Sequence, residues 1–266
     1  MPKIERRFIE TRAGTIHAAF AGEGFPVLLL HQTPRSWDEY REVLPLLGSR
    51  FRAIAMDTVG FGDSEALPFA ENSIEAWAGA ALGLMTALGF GRFAVVGHHT
   101  GAAIAVEMAA AAPERIAAAV LSACPYVDAE RRARYGKKAV IDEVTPAADG
   151  SHLAELWRMR QPFYPEGKID LMERFIADAL KAGRMAAEGH RVVSRYVMET
   201  RLPLVACPTL IIAPTADPHA YSNAGKVAAA IPGARVVEIE GGMVPLPDQM
   251  PEAFAQAVEA FLATVV

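Results

Sequence analysis

The chain has 266 residues, 52% of them hydrophobic and 21% charged, with a formal net charge of −5. That length suits one large α/β domain, or a domain carrying a sizeable insertion, and the composition is that of a globular protein rather than a disordered one. The acidic balance argues against a nucleic acid or an anionic membrane as partner, since either calls for a basic face.

The first eight residues are charged and lack an apolar signal core, so a soluble cytoplasmic protein is expected. Residues 3–14 and 15–24 read as an N-terminal hairpin meeting near Gly14. Six apolar runs follow, at 26–31, 51–57, 92–97, 117–124, 208–214 and 234–240. Their near-continuous Val, Ile, Leu and Ala predict strands buried on both faces, hence a mostly parallel sheet. Helices are predicted between them. Ser36 caps 37–47, with Glu39 placed for a capping box, and Ser73 caps 74–89. Residues 100–113 form a third helix ending at Pro113, and 250–266 close the chain. The longest uncharged run, 76–91, is too short and too glycine-rich for a membrane span.

Between Pro125 and Pro203 the alternation of strand and helix breaks. This segment is helical in character and rich in aromatic residues, which predicts a helical lid at 126–203 between core parts 1–125 and 204–266. Its basic cluster at 130–138 reads as a solvated helix face. Cys124 and Cys207 give neither a disulfide framework nor a metal spacing. No cofactor motif is visible, and the spacing of the histidines matches no metal signature.

Five short motifs in order, LLLHQTP at 28–34, DTVGFGDS at 57–64, GHHTG at 97–101, APTADP at 213–218 and EGGMVPLPDQMPEAF at 240–254, resemble those of the α/β-hydrolase fold superfamily in its lid-bearing branch. The resemblance implies a mostly parallel eight-stranded sheet flanked by helices, with the site at the carboxyl edge of the sheet. It also implies a nucleophile elbow at GHHTG, a sharp strand-to-helix turn that needs small residues around one exposed side chain. In this chain the family's serine position holds His99 and its histidine position holds Met243, while Asp217 keeps the acid position. Serine–histidine–aspartate chemistry needs a hydroxyl, a base and an orienting carboxylate, so two of its three parts are missing.

An imidazole titrates near neutrality and serves as a base at pH 7 with little tuning. His99 is therefore expected to act as nucleophile or general base, oriented by Asp217. His31, Gln32, Thr33 and Thr100 are the oxyanion or substrate-binding candidates, and Met243, Cys124 and Trp157 the pocket candidates. His98 is expected to pack beneath the elbow, and Asp57 and Ser64 to tie loops together. Three readings stay open: an enzyme acting on a small ester, lactone or related carbonyl compound; a lyase, isomerase or decarboxylase of the same fold; and a pseudoenzyme that binds a small molecule. All three imply a small-molecule partner, no nucleic acid and no membrane; a homodimer is compatible with each.

Overall fold

Five of the six apolar runs become inner strands of one sheet, whereas the sixth, at 234–240, forms its edge and is mostly exposed rather than buried on both faces. A computed structural model of the protein describes residues 2–135 and 140–266. Strands β1 (Glu5–Thr11) and β2 (Gly14–Ala21) form the hairpin, which turns at Gly14 with φ +101°, a conformation that favours glycine. Next come β3 (Pro26–Leu30), β4 (Arg52–Met56), β5 (Phe93–His98), β6 (Ile116–Ser122), β7 (Thr209–Pro214) and β8 (Arg235–Ile239). The eight strands lie in the order β1-β2-β4-β3-β5-β6-β7-β8. Both neighbours of β2 run antiparallel to it and all other pairs are parallel. Every residue of β3, β5, β6 and β7 is buried, as continuous apolar runs require.

Helices cover both faces. Helices α1 (Val43–Leu47), α2 (Ile74–Ala87) and α3 (Thr100–Ala111) lie among the first six strands. The insertion between β6 and β7 holds α4 (Ala129–Tyr135), α5 (Ser151–Arg160), α6 (Ile169–Ala182) and α7 (Met185–Arg195), and α8 (Ala224–Ala230), α9 (Leu246–Gln249) and α10 (Pro251–Leu262) complete the chain. One core joins α2 and α3 to the sheet through Trp77, Leu84, Val106 and Met108. The other joins α1 and α10 through Val43, Leu47, Phe254 and Val258. Burying these two faces is the main favourable term in folding.

Two expectations about helices need refinement. Ser73 does cap α2, its hydroxyl accepting from the Ala76 N–H at 3.0 Å. The stretch 37–47 is instead divided. Ser36 caps a 3-10 turn over Trp37–Tyr40, and α1 begins only at Val43. Glu39 makes no capping box, because its carboxylate turns inward and accepts from the Gln32 N–H at 2.8 Å. The insertion contains no strand among the described residues. It has a small core of its own around Leu156, Tyr164, Phe175 and Trp157. Residues 136–139, part of the basic cluster noted in the sequence, lie outside the described residues. Among the described residues no helix is long and apolar enough to cross a membrane.

Candidate active site

The turn from β5 into α3 is what brings His99 forward. A Cβ on Gly97 would sit 2.1 Å from the Gly101 carbonyl oxygen, and one on Gly101 would sit 1.9 Å from that of Leu30. Only glycine permits that approach, so α3 packs tight against β3 and β5. His99 absorbs the turn with φ +47° and ψ −109°. A non-glycine residue there costs roughly 1–3 kcal/mol, which the surrounding packing must offset. The strain leaves the His99 side chain 17% exposed, in the wall of a cavity of about 440 Å³.

His99 meets its acid. Nε2 of His99 lies 2.7 Å from Oδ2 of Asp217, at ion-pair distance though off the line of a straight hydrogen bond. The other oxygen, Oδ1, accepts from the N–H groups of His219 at 2.8 Å and Ala220 at 3.1 Å. Burial alone would raise the Asp217 carboxyl; the attraction of His99 and the backbone donors overcome it and hold the group at about 2. Asp217 is therefore a carboxylate at neutral pH, fixed by the backbone and turned toward one imidazole nitrogen. An Nε2–H facing it leaves the Nδ1 lone pair of His99 unused by Asp217, in a side chain that lines the cavity.

The neighbouring histidines have other tasks. His98 is wholly buried, with Nε2 donating to the Val244 carbonyl at 2.8 Å and Nδ1 3.0 Å from the Ser122 hydroxyl. Burial and the adjacent His99 push it down to about 3, so it stays neutral beneath the elbow. His31 does not line the cavity, contrary to the sequence expectation. Its Nδ1 donates to the Gln32 carbonyl at 2.8 Å and its Nε2 accepts from the Thr58 N–H at 2.9 Å, which uses both nitrogens to hold the turn. Asp57 and Ser64 tie loops: Asp57 accepts from His17 and from the N–H groups of Trp37 and Asp63, and Ser64 donates to the Asp57 carbonyl.

Gln32 lines the cavity with a different face from the one expected. Its backbone N–H goes to Glu39, and its side-chain NH2 goes to Glu39 and, at 3.3 Å, to the Val244 carbonyl. No Gln32 donor remains for a substrate, and its amide oxygen is the group left over. Burial pushes the Glu39 carboxyl well above the usual range. Thr33 and Thr100 both line the cavity. The Thr33 N–H donates to the Thr100 hydroxyl across a long 3.3 Å, and the Thr100 N–H opens α3, where the first N–H groups of a helix have no intrahelical acceptor. These two N–H groups are the donors beside His99.

Three pocket candidates fall outside the cavity. Cys124 is buried beneath it, with burial pushing its thiol up to about 12. Trp157 belongs to the core of the insertion. Met243 is replaced in the wall by its neighbour Val244, while the Met243 N–H is held by Gln249 at 2.7 Å. Among the described residues, the group whose ligand atoms approach closely enough for a metal ion is His17, Asp57 and Asp63, rather than any set around His99.

The order of strands, the elbow and the acid loop match a known architecture. The family model described as "alpha/beta hydrolase fold" matches residues 26–242. The chain belongs to that family. Among curated relatives, a soluble epoxide hydrolase of Corynebacterium is 38% identical over 94 residues, covering 35% of this chain and 32% of its own. A fluoroacetate dehalogenase of Burkholderia is 34% identical over 142 residues, covering 51% of this chain and 47% of its own. The match thus spans between about a third and a half of these relatives' length. In structure, the enol-lactonase from Burkholderia xenovorans superposes with a TM-score of 0.80 at 20% identity, over 97% of this chain and all of the other.

In this member of the α/β-hydrolase family, the turn between β5 and α3 carries a histidine that meets the Asp217 carboxylate. The sequence reading missed the groups on the far wall. Arg160, His190, Arg131, Arg134 and Lys226 all line the cavity, and the described part of the basic cluster turns two of its arginines into it rather than forming a wholly solvated face. His190 lies 2.8 Å from Asp142, which Arg160 grips through both Nε, at 2.6 Å, and Nη2.

Proposed function

We propose that this protein is a hydrolase of small esters, lactones or related carbonyl compounds in which His99 acts as general base on water, with Asp217 fixing its orientation. The observation that carries the reading is the His99 Nε2–Asp217 Oδ2 contact at 2.7 Å, made by a side chain that lines the cavity and keeps its other nitrogen, Nδ1, for the reaction. Asp, His and water then take the places of Asp, His and serine.

Of the two roles open to His99, base is favoured over nucleophile by geometry. Nδ1 lies next to the ring carbon that bears Cβ, so a tetrahedral carbon bonded to it would crowd the elbow backbone. Taking a proton from a water needs only hydrogen-bond reach. In the step, the water oxygen bonds to the carbonyl carbon, its proton passes to Nδ1, and the carbonyl oxygen gains the electron pair. The N–H groups of Thr33 and Thr100 donate to that oxygen, the first exchanging its long bond to the Thr100 hydroxyl for a charged acceptor. Collapse breaks the bond to the leaving oxygen, which takes the proton back from Nδ1. Val244 at the wall contributes an apolar surface only.

A single turnover in 18O-water tests the reading, using a panel of p-nitrophenyl esters and lactones. Direct attack by water puts one labelled oxygen into the acid product, with no burst of leaving group and no acyl adduct on His99 by mass spectrometry. A burst with an adduct contradicts the base role. Bond cleavage without label points to a lyase, and thermal stabilisation by the panel without turnover points to a binding protein.

A further inference from the structure

Helix α7 carries a glycine where glycine is unfavourable. Gly189 lies in the interior of this eleven-residue helix and is buried, and a helix interior disfavours glycine because of the backbone freedom it gives up there. A close contact accounts for it. A Cβ at position 189 would lie 2.3 Å from Cγ2 and 2.8 Å from Oγ1 of Thr33, and 3.0 Å from Cζ of Phe61. Rotating the Thr33 side chain does not clear the space. Two of the three positions on its Cβ face Gly189, and with two non-hydrogen atoms to place among three, one always stays there.

Resting on the hydrolase reading, we propose that Gly189 is a positioning residue: it lets the α7 backbone bear directly on the Thr33 side chain and so aim the Thr33 N–H, one of the two donors beside His99, at the oxygen that gains charge. The insertion thereby completes the oxyanion site of the core.

The surroundings give Thr33 little room to yield. It is buried, and Phe61, the other neighbour of Gly189, stands edge-on to the rings of His31 at 5.9 Å and Trp77 at 5.6 Å. His31 in turn holds the Gln32 carbonyl and the Thr58 N–H. The residues flanking Thr33 are tied by short bonds: the Gln32 N–H donates to Glu39 at 2.8 Å, and the Arg35 N–H donates to the Gln32 carbonyl at 2.8 Å. The N–H of Thr33 itself has a long 3.3 Å bond to the Thr100 hydroxyl. Its direction is therefore governed by how the side chain packs, and a close-packed interior passes small displacements on. Helix α7 is fixed in its turn, with His190 Nε2 2.8 Å from Asp142. The same helix lines the cavity through His190, Val193 and Ser194. Misplacing a catalytic group by about 1 Å costs roughly 10²-fold in rate.

A double-mutant cycle on Gly189→Ala and Thr33→Ala tests the proposal, using the ester that the wild type turns over best. Thr33→Ala removes both Thr33 atoms that a methyl at 189 would meet and keeps the backbone N–H. Gly189→Ala alone is expected to lower kcat by about 10- to 100-fold with little change in KM, the signature of an interaction made only in the transition state. Thr33→Ala alone is expected to lower kcat several-fold, since the turn loses its contact with α7. Adding Gly189→Ala to Thr33→Ala is expected to change kcat by less than about three-fold, a clear departure from additivity. If Gly189→Ala folds poorly by itself, the comparison between Thr33→Ala and the double variant decides: a further loss of about ten-fold or more there overturns the proposal. So does an equal loss in both backgrounds, an unchanged kcat in Gly189→Ala, or a change confined to KM. A second readout needs no turnover. In protein labelled with 15N-threonine, Gly189→Ala is expected to move the Thr33 amide resonance and leave those of Thr15 and Thr209, in β2 and β7, in place. An unmoved Thr33 resonance also overturns the proposal. Full turnover by His99→Ala instead overturns the reading of the reaction, and the Thr33 resonance still reports on the contact with α7.

Discussion

Asp217 shows how much of the chemistry rests on which way one carboxylate oxygen faces. Its Oδ1 accepts from two backbone N–H groups and its Oδ2 faces His99. In Asp217→Asn the amide oxygen must take the Oδ1 place, because the backbone offers only donors there, and the NH2 is forced against His99 Nε2. The imidazole then turns to the tautomer with its proton on Nδ1, and the lone pair needed for water is lost. We expect kcat to fall by about 10³-fold while the melting temperature changes by only a few degrees. A loss below ten-fold would mean that the tautomer of His99 does not matter. The same scale explains the fate of Gln32. A carboxylate seven residues along the chain captures both of its donors, and no periodicity in the sequence announces such a pair. Hence Gln32 read as a donor to substrate and Glu39 as a helix cap.

At the level of elements, the contrast is between the sheet and the helices inserted into it. Strands buried on both faces are legible as continuous apolar runs, and the elbow is legible because its glycines are dictated by backbone contact with β3. The helices of the insertion reveal from their amphipathic pattern which face is apolar, but not which polar atoms converge. The joining of α5 to α7 by Arg160, Asp142 and His190 was therefore not readable. That cluster makes a prediction about pH. Burial would raise the Asp142 carboxyl, but Arg160 and His190 outweigh it and hold it at about 2, below its ordinary value of 3.8. Its stabilising effect is present in full above the ordinary value and is lost as the pH falls through about 2. Asp142→Asn leaves Arg160 with a buried, uncompensated charge and is expected to cost about 3 kcal/mol at pH 7. In urea unfolding, the gap to the wild type should narrow as the pH drops from 4 toward 2. A gap independent of pH would show that the pair contributes through shape rather than charge.

Taken as a whole molecule, the chain has the family's sheet flanked by helices, and the proposed chemistry places a different set of groups at its carboxyl edge. The order of motifs was enough to place strands, elbow and acid loop, since each lies at a strand end whose position the apolar runs determine. The loop after β8 was harder. A turn has no period, and the sequence pointed to Met243 as the residue that reaches the cavity, whereas it is Val244. Neither is ionisable, and the imidazole that meets Asp217 comes from the elbow itself. All of this turns on His99 being the group that moves the proton. The steady-state kinetics of His99→Ala, on whichever ester the wild type turns over best, decides it. Replacing the base should lower kcat/KM by at least about 10²-fold, with the melting temperature lowered by a few degrees at most, because Asp217 keeps its two backbone donors when the imidazole is gone. Turnover within a few-fold of the wild type, in a protein folded to the same extent, would contradict the assignment of His99 as the base.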